Sequence, residues 1–170
     1  FMVKIKKLLD HEDISDDDIK ELIASTWGNP IDEVLAVKSK VKEKYTVGNF
    51  SNITHLQLEM LGEKFPQLLE GYLDYPSLYS CQVGATKAEA GIYERIQGYN
   101  PIIFIDDNET YVKNAVTAGW KGIWLTSYID QFEAVRSVHT ATSTAPAAEL
   151  KVANSIPDLE KALWEYGIKT

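Results

Sequence analysis

The chain has 170 residues, 45% of them apolar, which suits one domain with a substantial core. Its 25 acidic residues against 17 basic ones leave a net charge of -8, which argues against a nucleic-acid surface. Cys81 is the sole cysteine, so no internal disulfide can form and a reducing, cytoplasmic setting is expected; no apolar run is long enough to span a bilayer.

Residues 1 to 9, FMVKIKKLL, are too short and too charged for a signal peptide. Val3 and Ile5 alternate with lysines as in a strand, while Ile5, Leu8 and Leu9 fit helical spacing. Ser15 with Asp18 three residues on reads as the start of a helix whose apolar face is Ile19, Leu22 and Ile23. Asp16, Asp17 and Asp18 fall in its first turn, where the helix dipole favours negative charge, so this run reads as a capped surface helix. Gly28, Asn29 and Pro30 end it, and a second helix is predicted from Asp32 to Lys44 with Val34, Leu35, Val37 and Val41 inward.

Tyr45 to Phe50 reads as a strand that delivers Ser51 and Asn52 at its end. A helix follows from His55 through Leu61, on which His55 reads as a surface or packing residue. Phe65 to Tyr79, rich in aromatics and punctuated by prolines, reads as a packed loop with a short helix, closing in a brief strand near Leu78 to Cys81. Lys87 opens the next predicted helix, which carries Ile92, Tyr93 and Ile96. A lysine there opposes the helix dipole; it is either a solvated surface residue or a group kept to neutralise an anion.

Ile102, Ile103, Phe104 and Ile105 run without a polar break, the pattern of a strand buried on both faces. Asp106 and Asp107 follow at once, then Val112, Ala115, Val116 and Ala118 at helical spacing up to Gly119, then a second apolar run from Gly122 to Leu125. Such a strand, acid pair, helix and strand form the core of a parallel α/β sheet, whose ligands bind outside the carboxyl ends of the strands. One aspartate would suffice to cap the helix. Two adjacent carboxylates at the mouth of a dry strand repel each other, and a hard divalent cation such as magnesium relieves that cost. Beyond Leu125, residues 139 to 148 read as a flexible connector and Val152 to Asn154 as a short edge strand. Ser155, Pro157 and Asp158 open a last helix with Leu159, Ala162, Leu163 and Tyr166 as its buried stripe.

Ser51-Asn52, Lys87 in SCQVGATK and the Asp106-Asp107 pair, in this order over residues 45 to 126, resemble three of the four loop motifs of the haloacid dehalogenase-like hydrolase superfamily. The resemblance implies a Rossmann-like core at 45–170, with a parallel sheet between two helical layers, and makes 1–44 similar to part of that family's helical cap. It implies that Ser51 and Asn52 bind the transferred phosphoryl group, that Lys87 balances its charge, and that Asp106 and Asp107 hold magnesium, Asp107 directly. The implied activity is magnesium-dependent hydrolysis of a small phosphate monoester; the alternative is a non-catalytic binding or scaffold domain of the same fold.

The sequence departs from that family's pattern in three places. Ala88 follows the lysine where proline is usual, and Tyr111 stands where Asp or Asn is frequent. The first motif, an apolar strand ending in Asp-x-Asp that supplies the nucleophile, has no counterpart beyond Asp10 with Glu12, whose approach carries Lys4, Lys6 and Lys7. In the family that strand lies between those ending at Phe50 and Ile105, so the resemblance calls for a preceding piece or another segment to fill a central row of the sheet.

Overall fold

Four of the described helices begin where the sequence supplies a side-chain cap. The computed structural model describes residues 6–7, 13–69, 77–126 and 149–169, so Asp10 and the connector at 139 to 148 lie outside the described residues. Helix α1 (Asp16–Ser25) starts at Ser15, whose Oγ accepts from the Asp18 N–H at 3.0 Å while Asp18 Oδ2 accepts from the Ser15 N–H at 3.2 Å. Helix α2 spans Asp32–Lys42, and strand β1 is only Phe50–Ser51. The predicted strand from Tyr45 is therefore too long: the Tyr45 hydroxyl instead donates to the Gly167 carbonyl and accepts from the Lys169 N–H. Thr54 and Gln57 form a second capping box for α3 (His55–Lys64), on which His55 is exposed.

Helix α4 (Pro66–Leu69), strand β2 (Leu78–Tyr79) and helix α5 (Ser80–Val83) follow, so Ser80 and Cys81 are helical rather than strand. Lys87 lies in a turn, and the predicted helix is reduced to a 3-10 segment at Ala90–Arg95. Then come β3 (Ile103–Asp106), α6 (Glu109–Thr117), β4 (Lys121–Leu125), β5 (Leu150–Ala153) and α7 (Ile156–Glu165). Among the described residues no helix is long and apolar enough to cross a membrane.

The chain divides into two compact units. One takes Phe1–Ile31 with Ile53–Glu70 and packs α1 with α3, burying Ile19 and Met60. The other takes Asp32–Asn52 with Gly71–Thr170 and holds every strand, an α/β arrangement of two small parallel sheets. In one sheet β1 pairs with β2; in the other the order is β3-β4-β5, with Ile103 opposite Lys121 and Gly122 opposite Leu150.

Helices cover both faces of the three-stranded sheet. On one face Ile123, Leu125 and Ala153 pack with Val37 of α2 and with Leu159, Ala162 and Leu163 of α7. On the other, α6 comes so close that a Cβ on Gly122 would lie 2.5 Å from Val112 Cγ1 and 2.8 Å from Val116 Cγ2. Only a glycine leaves that approach open. Here Phe104, Val112, Ala115 and Trp120 join Leu78, Ile92 and Tyr93 in a second buried cluster.

Between the two sheets, backbone groups are left without a partner among the described residues. The Lys121 N–H donates to the Ile102 carbonyl and the Leu78 N–H to the Asn49 carbonyl. Strand alternation then turns the N–H and C=O of Ile103 and Ile105 away from β4, and those of Phe50 away from β2. None of these groups has a hydrogen bond among the described residues. A cavity of about 150 Å³ lies between the two edges, lined by Asn49, Phe50, Tyr99, Ile103, Phe104 and Trp120 among others. Ile105 is 39% exposed, so the expected burial of β3 on both faces holds at Phe104 and fails at Ile105.

Candidate functional site

Asp106 is the last residue of β3, and its side chain, 7% exposed, lies on the same face of the sheet as Phe104. Its Oδ2 accepts from Lys87 Nζ at 2.5 Å and its Oδ1 from the Asn108 N–H at 2.8 Å. Burial pushes the Asp106 carboxyl up from its ordinary range, and the Lys87 ammonium and the Asn108 N–H pull it part of the way back. The Lys87 side chain is itself 11% exposed. Its ammonium sits 5.7 Å from the Phe50 ring centre, 5.6 Å from Phe104 and 5.4 Å from Tyr111, so three aromatic rings and a carboxylate surround one cation. A solvated surface lysine is thereby excluded. With Lys87 in a turn, the helix-dipole argument for it does not apply.

The Lys87 backbone is held at both ends of its own residue. Its N–H donates to Asn52 Oδ1 at 2.9 Å, and its carbonyl accepts from the Tyr93 hydroxyl at 2.8 Å and from Asn114 Nδ2 at 3.3 Å. Asn52 also donates from Nδ2 to the Tyr111 hydroxyl at 3.3 Å. Tyr93 is fully buried, and burial together with the Asp106 charge pushes its phenol well above the ordinary value, so it stays a donor. Its ring meets Phe50 at 5.5 Å, Phe104 at 6.1 Å and Trp120 at 5.3 Å, in edge-on geometry each time.

The structure thus brings together Asn52, Lys87 and Asp106 by direct contact. Ser51 ends β1 beside them, but its hydroxyl has no hydrogen bond among the described residues. Asp107 is exposed, and its carbonyl accepts from Trp124 Nε1 at 3.0 Å. Neither acid caps α6: that role belongs to Asn108, whose Oδ1 accepts from the N–H groups of Thr110 and Tyr111. The capping alternative for the acid pair is therefore removed. Tyr93 and Asn114 were not singled out as site residues by the sequence; both reach Lys87 through the fold, at separations with no periodic signature.

Two adjacent carboxylates are hard oxygen donors of the kind magnesium takes, and that ion is commonly held by one or two carboxylates with substrate phosphate and water. The Asp106 oxygens accept one hydrogen bond each, from Lys87 and from Asn108, and keep further lone pairs. Among the described residues no third acid, histidine or cysteine joins them in a metal-holding group. No family model matches this sequence, and neither a curated protein nor a solved structure does.

Proposed function

We propose that the larger unit is a Rossmann-like domain that binds the phosphoryl group of a small phosphate monoester, in a magnesium-dependent centre of the phosphohydrolase type. The observation that carries this reading is the Lys87 ammonium, fixed against Asp106 and tied through its backbone to Asn52. All three lie at the carboxyl ends of parallel strands or in the turns beside them, the position where α/β sheets bind ligands. Lys87 supplies positive charge to the phosphate oxygens in a poorly solvated place, where that charge counts for more than it would in water. The Ser51 hydroxyl and the Asn52 amide donate to the same oxygens. Magnesium held by Asp107, with Asp106 beside it, would neutralise further charge there.

Hydrolysis in this chemistry proceeds by attack of a carboxylate on phosphorus, which breaks the ester P–O bond and expels the alcohol, protonated by solvent; water then hydrolyses the aspartyl-phosphate to orthophosphate and the free carboxylate. Asp106, bonded to Lys87 and to Asn108, resembles the fourth motif, whereas in the superfamily that the sequence resembles the attacking carboxylate comes from the first. The gap between β1 and β3 is where the resemblance places the strand that carries it. The same gap favours a second reading, a non-catalytic binding or scaffold domain of the same fold.

Thermal unfolding with magnesium and orthophosphate tests the site. Ligand at ten times its dissociation constant stabilises the native state by about 1.4 kcal/mol, so the midpoint is expected to rise, and Asp107→Asn is expected to remove most of the magnesium-dependent part. An unchanged midpoint in excess of both ligands counts against the reading. Turnover of an aryl phosphate separates the two readings: binding without turnover favours the scaffold, and magnesium-dependent turnover excludes it.

A further inference from the structure

Two backbone carbonyls meet one hydroxyl, and three rings pack around the ring that carries it. Tyr93 Oη donates to the Lys87 carbonyl at 2.8 Å and lies 3.1 Å from the Tyr111 carbonyl, in the first turn of α6. Its ring is wedged among Phe50 of β1, Phe104 of β3 and Trp120, and has no freedom to follow a moving loop. The turn bearing Lys87 belongs to no regular element and has no ladder or helix to set its height. Thr86 and Glu89 close the turn on itself, the Thr86 N–H donating to Glu89 Oε1 at 2.7 Å, and besides Tyr93 the Lys87 backbone meets Asn52 at 2.9 Å and Asn114 at 3.3 Å. The best-placed rigid support for this residue is therefore a buried phenol six positions along the chain.

We propose that Tyr93 is a positioning residue for Lys87: its hydroxyl, seconded by Asn114, holds the Lys87 backbone where the ammonium meets Asp106 and a bound anion together. The anion half of this statement rests on the phosphate reading above; the Lys87 half does not. A lysine that loses its carbonyl anchor keeps its charge and its chain length. What it loses is the fixed origin of the side chain, and preorganisation is what makes a buried donor effective towards an anion.

The test is Tyr93→Phe, which keeps the ring and its packing and deletes only the hydroxyl. Two quantities are read: the ¹⁵N–¹H signal of the Lys87 ammonium in the ligand-free protein, and the affinity for orthophosphate at fixed magnesium. The expected result is a displaced or broadened Lys87 signal and a roughly tenfold loss of phosphate affinity, the scale of one well-made hydrogen bond. Tyr166→Phe serves as the control, because it deletes a comparable hydroxyl, bonded to the Gly122 carbonyl at 3.2 Å on the opposite face of the sheet. It is expected to leave the Lys87 signal in place. Should Tyr93→Phe fail to fold, Asn114→Leu is read in the same two ways with a smaller expected change. An unmoved Lys87 signal with unchanged affinity overturns the proposal. If the wild-type protein binds no orthophosphate, the phosphate reading fails and the ammonium signal alone decides Tyr93: displacement supports its role, and constancy overturns it.

Discussion

The two faces of the β3-β4-β5 sheet are covered by helices of similar length and built from different chemistry. Against α2 and α7 the contact is aliphatic: Val37, Ile123, Leu125, Leu159 and Leu163 bury side chains that need no partner. Tyr166 closes that side by donating to the Gly122 carbonyl. Against α6, Val112 and Ala115 meet an aromatic cluster, and beside it lies an ion pair whose ammonium faces the rings of Phe50, Phe104 and Tyr111. Burial of the first kind stabilises by about 25 cal/mol per Å² of apolar surface removed from water. A buried ion pair at best offsets its own desolvation. The first face asks for no polar partner, whereas the second buries its apolar cluster and a charge pair together.

The largest effect expected from breaking this contrast is at the ion pair. Lys87→Ala leaves the Asp106 charge buried without its partner and should cost about 3–5 kcal/mol in urea unfolding, whereas the double variant Lys87→Met with Asp106→Leu should recover most of it. A cost below about 1 kcal/mol for the single change would place the pair among solvated surface bridges and erase the distinction between the faces.

A middle-sized effect is expected at Gly122. Gly122→Ala drives a methyl against Val112 and Val116 and should cost about 1–3 kcal/mol, with partial rescue by Val112→Ala. Equal stability of Gly122→Ala and wild type would mean that α6 can retreat, and Lys87 and Asp106 could then not rely on it.

The smallest effect sharpens the comparison through the two caps. Asn108 starts α6 on the aromatic face, and Ser155, whose Oγ accepts from the Asp158 N–H, starts α7 on the aliphatic one. Asn108→Ala and Ser155→Ala should each cost about 1 kcal/mol in thermal or urea unfolding. Only the first is expected to lower orthophosphate affinity as well, because it loosens the turn that presents the N–H to Asp106.

What the sequence disclosed follows from how local each feature is. The capping box at Ser15, the start of α7 at Ser155 and the stripe of Leu159, Ala162 and Leu163 are settled within one or two turns of chain, and they stand as expected. The place of the acid pair at the end of β3 is equally local, since it follows from an apolar run that stops on two carboxylates. Lys87 was found for a reason that did not hold: it does not begin a helix, and its isolation comes from Phe50, Phe104 and Tyr111, none of them near it in sequence. The strand from Tyr45 was overextended because alternation cannot say how much partner a strand will find, and β2 offers only Leu78 and Tyr79. Ile105 looked like core for the same reason. Its exposure depends on which strand lies beside it, and no local pattern records that.

The split sheet has a further consequence, in the time domain. Within the four residues of β3, the Phe104 N–H turns towards β4, while the N–H groups of Ile103 and Ile105 turn away from it, to an edge with no partner among the described residues. Solvent deuterons are expected to reach the first only when the β3-β4 pairing opens and the other two without it, so neighbouring amides of one strand should exchange on separate timescales. Any segment that comes to occupy the gap and pairs with that edge would draw the fast amides towards the slow one, and the convergence of the rates would report its arrival residue by residue.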